Sequence, residues 1–145
     1  MKGYTTWAAI GATAFIGAGA VVLPALGSTD STTHTLRFTA IAQKSANFSK
    51  TSFGQDEIDR NKDGKIIGFD VIYGTFDPMT NTAKGRVALS TRGGLLYGSL
   101  KFSDGPITTG RVTGGTGRFK GVTGTIYGKS LNKAGTRTAV VIHYH

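Results

Sequence analysis

The chain contains no cysteine. That absence excludes a thiol nucleophile, a disulfide framework and any thiolate metal site, so the fold rests on burial and backbone pairing alone. Proline is scarce too, 3 residues against 22 glycines. Together the two stay below the level of a disordered low-complexity chain. Carboxylates are few, 8 against 17 lysines and arginines, and Glu57 is the only glutamate. Helix-period patterns are hard to find after residue 30. No βαβ alternation points to a parallel sheet, and no internal repeat points to a solenoid. A length of 145 residues suggests one domain, long enough to bury a core of its own.

Charge is missing from one long stretch. From Trp7 to Leu26 the residues are apolar or small and carry no charge, and the single cation before them is Lys2. "ALG" then precedes the polar "STD". This is the pattern of a secretory signal with cleavage after Gly27, and it implies a secreted, extracellular protein. The alternative is a single membrane-spanning anchor, since the stretch approaches the necessary length. Its composition of Ala and Gly rather than Leu gives a weak drive for insertion. Residues 1–27 are therefore set apart as a signal peptide, and residues 28–145 as the folded domain.

What the remainder holds is strand. Valine, isoleucine, threonine and aromatics are spread through it, in segments of eight to twelve residues separated by turn signals. The expected strands cover residues 33–44, 51–58, 66–76, 83–91, 94–102, 107–114, 122–131 and 136–145. In the first, Leu36, Phe38, Ala40 and Ala42 share a face. In the third, Ile67, Phe69, Val71 and Tyr73 do, and in the fifth Leu96, Leu100 and Phe102 with Gly98 between them. Eight is the number that closes into a small barrel, filled by side chains or holding one small ligand. Closure also removes edges open to aggregation. The expected class is all-β, an eight-stranded antiparallel barrel after an N-terminal signal segment, with a two-sheet sandwich as the rival.

The net charge is +9, and cleavage would remove only Lys2. The cations recur singly, as at Arg37, Lys65, Lys101 and Arg137. A basic run of the kind that binds nucleic acid is not seen, so no nucleic-acid partner is expected. Two readings stand: a solvated cationic surface, or attraction to an anionic cell surface or polymer.

Residues 114–124 read "GGTGRFKGVTG". A P-loop would end in Gly-Lys-Ser/Thr, and both it and a dinucleotide fingerprint would open a helix; here a strand-like run follows. The stretch is structural. Gly114, Gly115 and Gly117 can take positive φ, Phe119 plugs a barrel end, and Gly121 and Gly124 let the next strand pack closely.

In "TGGTGRFKGVTGTIYG", with "DGPITTGRVTG" before it and "DGKIIGFDVIYG" earlier, the chain resembles the allene oxide cyclase-like and dirigent-like barrels. The resemblance runs from about Phe53 to Tyr144. It implies an eight-stranded barrel with a largely apolar cavity that steers a reactive, flexible substrate to one stereochemical outcome without a cofactor. A shaped, dry pocket suffices for that, by holding a near-attack conformer. Cyclases of the family place a cysteine and a glutamate near the substrate; this chain has no cysteine, and Glu57 is its only glutamate. Dirigent proteins place paired aspartates at the cavity mouth, for which Asp56 and Asp70 are the candidates.

Other constellations compete. In "DRNKDGKIIGFD", Asp59, Asn61, Asp63 and Asp70 fall at positions 1, 3, 5 and 12 of a calcium loop with Gly64 at 6. An aspartate at the last position, flanking strands and nearby cations favour instead an Asx-rich hairpin turn. His143 and His145 share a strand face, and His34 could join them on a metal if the first and last strands pair; a frayed terminus is the plainer reading. Tyr73 and Tyr97, with Phe69, could line a cavity and offer phenol hydrogen bonds, or simply pack. Glu57 or Asp56, in a dry cavity mouth, would have a raised pKa and serve as the acid.

The sequence therefore points to a secreted barrel that binds a small hydrophobic molecule and steers a cofactor-independent cyclisation or isomerisation. Its expected catalytic residues are Glu57 and Asp56, its ligand-binding residues Phe69, Tyr73 and Tyr97, and its cation site Asp59, Asn61, Asp63 and Asp70. The competing reading is a non-catalytic binding module for an anionic or cell-surface partner, stabilised by calcium. A membrane is met only through the signal segment, and homo-oligomerisation stays open.

Overall fold

The structure, a computed structural model, describes residues 32–145. The signal-peptide reading of residues 1–27 lies outside the described residues. Eight strands follow one another: β1 (His34–Asn47), β2 (Ser52–Arg60), β3 (Ile66–Asp77), β4 (Thr82–Thr91), β5 (Gly94–Phe102), β6 (Ile107–Gly115), β7 (Gly124–Ser130) and β8 (Arg137–Tyr144). Each pairs antiparallel with its sequence neighbour, and β8 returns to β1 with His34 opposite Tyr144. The sheet closes into a barrel and leaves no strand edge unpaired. The sandwich alternative is thereby excluded.

Alternation along the strands builds the core. Phe38 and Ala40 of β1, Leu96 and Leu100 of β5, Val112 of β6, Ile126 of β7 and Ile142 of β8 point inward and are buried. Their neighbours point to solvent, as the two-residue period requires. The turns carry the residues their geometry demands. Arg92 and Gly93 link β4 to β5. Asn61 Oδ1 accepts from the backbone N–H groups of Asp63 (3.0 Å) and Lys65 (2.9 Å), an Asx turn joining β2 to β3.

The glycine-rich stretch closes one end of the barrel. A single 3₁₀ turn over Gly117–Phe119 follows β6 and drives Phe119 to full burial. Gly114, Gly117 and Gly121 take positive φ; Gly115 does not. At Gly115 the requirement is space, since a Cβ would collide with the Leu95 carbonyl oxygen and sit 2.6 Å from Phe119 Cβ. The Phe119 ring packs edge-on against Tyr144 at 5.5 Å, Tyr144 stacks on His34 at 5.3 Å, and the Arg118 guanidinium covers Phe119 at 4.8 Å. Arg118 N–H donates to the Gly93 carbonyl at 3.0 Å, which ties the turn to the β4–β5 hairpin.

Candidate functional site

The other end is open. A cavity of about 350 Å³ runs from it into the barrel. Phe53 and Phe102 meet edge-on near the mouth at 5.9 Å, and Ser103, Gly105 and Pro106 of the β5–β6 loop form part of the rim. Below them the wall is almost wholly apolar, from Phe38, Ile72, Leu89, Leu96, Leu100 and Ile142. Such a mixture of apolar wall and a few convergent polar groups is the ordinary make-up of a small-molecule site.

The polar groups come from two adjacent strands. On β2 the inward positions are Phe53, Gln55, Glu57 and Asp59, in order from the mouth to below the cavity floor. On β3, Asp70 stands directly opposite Glu57, and Gly68 opposite Asp59. Gly68 has to lack a side chain: a Cβ there would lie 2.6 Å from the Ser90 carbonyl and 3.3 Å from Asp59 Oδ2. Three carboxyls are thus buried together, Glu57 at 6%, Asp70 at 4% and Asp59 at 0% exposure. Glu57 and Asp70 line the cavity, while Asp59 sits beneath it.

Among the described residues no cation lines the cavity to answer them. Glu57 Oε1 accepts from Gln55 Nε2 at 2.6 Å, and Gln55 Oε1 accepts from Ser45 Oγ at 3.0 Å. Asp59 Oδ1 and Oδ2 and Asp70 Oδ1 have no hydrogen-bond partner among the described residues. Two ionised carboxylates can only repel each other, so crowding them in a buried cluster favours protons held on the carboxyls themselves. Burial, then the charges of Glu57 and Asp59, pushes Asp70 up to about 9. Burial pushes Asp59 up to about 7. Burial also raises Glu57, against hydrogen bonds from Gln55 and Asp70 that favour its charged form. The cluster therefore separates its members. Asp70 is the carboxyl kept neutral, and Glu57, held by an amide donor, is the better carrier of charge.

The sequence-predicted site residues divide accordingly. Glu57 faces the cavity, but Asp56, one residue earlier on the strand, points outward and is exposed. Adjacent residues of a strand face opposite sides, so the two cannot serve one pocket. Phe69, Tyr73 and Tyr97 also lie on the outer wall, 54%, 53% and 38% exposed. There Tyr73 stacks on Phe48 at 6.0 Å, and Tyr73 and Tyr97 border a shallow external groove beside Arg86. The calcium-loop residues do not converge. Asp59 and Asp70 turn into the barrel, Asn61 Oδ1 is taken by the turn, and Asp63 is exposed. Nor do the histidines meet: His143 Nδ1 pairs with Thr35 Oγ1 at 2.9 Å, His145 Nε2 with Thr123 Oγ1 at 3.2 Å, and His34 stacks on Tyr144. Among the described residues no group of three His, Asp or Glu side chains is arranged to hold a metal ion.

Residues that sequence reasoning left out include Phe53, Gln55 and Phe102, and Asp59 and Asp70 as members of one acid cluster. For Asp70 a signal was present. Gly74, Gly85, Gly98, Gly110 and Gly128 all stand on the inner wall, where a Cβ would press into Phe53, Phe102, Ile126, Leu100 or Thr138. Glycine parity marks the crowded concave side of a small barrel, and on β3 that parity selects Asp70 and Ile72 over Phe69 and Tyr73.

No protein-family model matches the chain, and neither does any curated protein sequence. Solved structures do match. Pyocyanin demethylase superposes with a TM-score of 0.66 at 17% identity, over 77% of this chain and 100% of that one. AbnU, an exo-specific intermolecular Diels-Alderase, superposes at 0.64 and 8%, over 78% and 98%. A pterocarpan synthase dirigent protein superposes at 0.65 and 17%, over 92% and 98%. The likeness is one of fold: this chain shares a closed eight-stranded antiparallel barrel with these proteins, a dirigent protein among them.

Proposed function

We propose that this barrel binds a small hydrophobic molecule in its cavity and steers a cofactor-independent cyclisation or isomerisation, with Asp70 as the acid and Glu57 as its charged counterpart. The observation that carries the reading is the Glu57–Asp70 pair, set opposite each other across β2 and β3 at the bottom of an apolar cup. A neutral carboxylic acid at neutral pH can donate a hydrogen bond or a proton to a carbonyl or alkene carbon as charge develops there. The apolar wall excludes water and holds a flexible guest folded for ring closure. The structural neighbours include a protein named as a Diels-Alderase and one named as a pterocarpan synthase, which is in keeping with guided ring formation. Residues 1–27, read as an export signal, would place this activity outside the cell.

Native mass spectrometry of the full chain tests the reading, by capture of a co-purified molecule and by titration with a neutral naphthalene-sized fluorophore. Wild type is expected to bind one equivalent. Leu100→Trp, which fills the cavity, is expected to bind none while keeping the far-UV signature of the barrel. With the natural guest identified, Asp70→Asn is expected to slow its conversion by about 10²–10⁴-fold, the usual worth of a positioned acid. Binding that survives Leu100→Trp would remove the cavity from the account.

A second reading has one observation in its favour. Among the described residues every lysine is exposed, and so is every arginine except Arg60. With a net charge of +9 the outer wall would attract a polyanionic surface at low salt. A non-catalytic module that docks on such a surface is compatible with a ligand in the cavity. Adsorption to an anionic polymer that vanishes above physiological salt would support it.

A further inference from the structure

We propose that the guest is a lipophilic base, an amine or a nitrogen heterocycle, which the cavity takes up as the cation paired with Asp70 and Glu57. This rests on the reading of the cavity as the ligand site. Four observations lead to it. Asp70 is 4% exposed, lines the cavity, and its Oδ1 accepts from no donor group of the barrel. Glu57 faces the same space, with Gln55 holding one of its oxygens. Asp59 lies directly under the floor with both oxygens unpartnered. Among the described residues no lysine, arginine or histidine lines the cavity from any of the eight strands or from the rim loops, and Glu57 and Asp70 are its only titratable lining groups.

The charge balance selects the guest. A carboxylate-bearing molecule would set a further negative charge beside three buried carboxyls with no cation to offset it, a severe cost in a dry site. A neutral guest could accept one hydrogen bond but would leave the acid cluster otherwise unanswered. A basic guest relieves it. The Asp70 O–H bond breaks, the proton forms an N–H bond on the guest, and Asp70 keeps the electron pair as a carboxylate. The new N–H then donates to Asp70 and Glu57, a charge-assisted bond in a low-dielectric pocket. The apolar wall takes the hydrocarbon body, and Phe53 and Phe102 stand at the entrance. The cationic outer surface poses no obstacle, because the base can enter as its neutral form and acquire the proton inside.

The test compares three probes of one shape on the full chain by titration calorimetry: naphthylmethylamine, naphthylmethanol and naphthoate. The amine is expected to bind about tenfold or more tightly than the alcohol, the margin of a charge-assisted hydrogen bond, and naphthoate to be the weakest. In the double variant Glu57→Gln with Asp70→Asn, the amine is expected to lose its advantage over the alcohol. Equal binding of amine and alcohol by wild type would overturn the inference and leave the cavity as a site for neutral guests. Tightest binding of naphthoate, or an amine preference that persists in the double variant, would overturn it as well. Failure of all three probes to bind wild type would overturn both this inference and the ligand reading beneath it.

Discussion

The two ends of the barrel solve opposite problems with the same kind of residue. At one end Phe119 is driven to full burial, clamped between Tyr144 and the Arg118 guanidinium, with the backbone of the turn tied to Gly93. At the other end Phe53 and Phe102 are only half-buried, meet edge-on and leave a passage. One aromatic ends the core; the other two frame an entrance. The difference lies in what surrounds them. The glycine-rich connection from β6 to β7 lets a ring fold inward over the floor. The connections from β5 to β6 and from β7 to β8 lie along the rim and are joined to each other by the Ser130 N–H to Pro106 carbonyl bond of 2.8 Å. A cup follows from this contrast, with its acid groups near the closed end, where water is scarcest.

The contrast can be broken most forcibly at the floor. Phe119→Ala is expected to cost about 3–5 kcal/mol of stability, as for large aromatic truncations in a core, measured by urea unfolding. Phe102→Ala at the mouth is expected to cost clearly less and to widen the range of guests accepted. Similar losses at the two positions would mean that the ends are not built differently.

A smaller effect comes from the acids. Their folded pKa values lie above the unfolded ones, so the folded protein holds more protons than the unfolded chain from about pH 4 upward. Stability contributed this way is complete below the ordinary carboxyl range and is lost as pH rises through about 7 for Asp59 and about 9 for Asp70. The expected slope, where one proton differs, is about 1.4 kcal/mol per pH unit. Melting temperature should therefore fall between pH 5 and pH 9, within the range set by those values. Asp70→Asn should flatten the decline. A melting temperature that rises over this range would contradict the burial of neutral acids.

The smallest effect is expected outside. Tyr73→Ser on the outer wall should change stability by no more than about 0.5 kcal/mol and leave guest binding unaltered. Loss of cavity binding in this variant would show that the outer groove, not the interior, holds the ligand.

Much of the fold was legible in the sequence, because strand alternation and turn residues act locally. The β5 strand coincides with the range read from alternation, "RG" marks the tightest hairpin, between β4 and β5, and "DG" lies in the turn from β2 to β3. The face assignment of β3 was not legible from hydrophobicity. Phe69, Val71 and Tyr73 are the more apolar set, yet they lie outside, while Asp70 and Ile72 lie inside between Gly68 and Gly74. Small-barrel curvature explains this: bulky rings fit the convex wall, and glycines are needed on the concave one. Glu57 was readable as a candidate acid, but its inward partner sits 13 positions away on the neighbouring strand, and only the register of β2 against β3 brings the two together. The calcium-like spacing around Asp59 and Asp70 arose because both ends of a hairpin supply inward carboxyls while its tip needs Asn and Gly for the turn.

The most direct test of the whole account is the titration of the carboxyl carbons of Asp59, Asp70 and Glu57, followed by ¹³C NMR on the full chain from pH 4 to pH 10. With Asp70 pushed up to about 9 and Asp59 to about 7, at least one proton remains on the cluster at neutral pH. Three carboxyls all ionised below pH 5 would leave the cup without an acid to offer its guest.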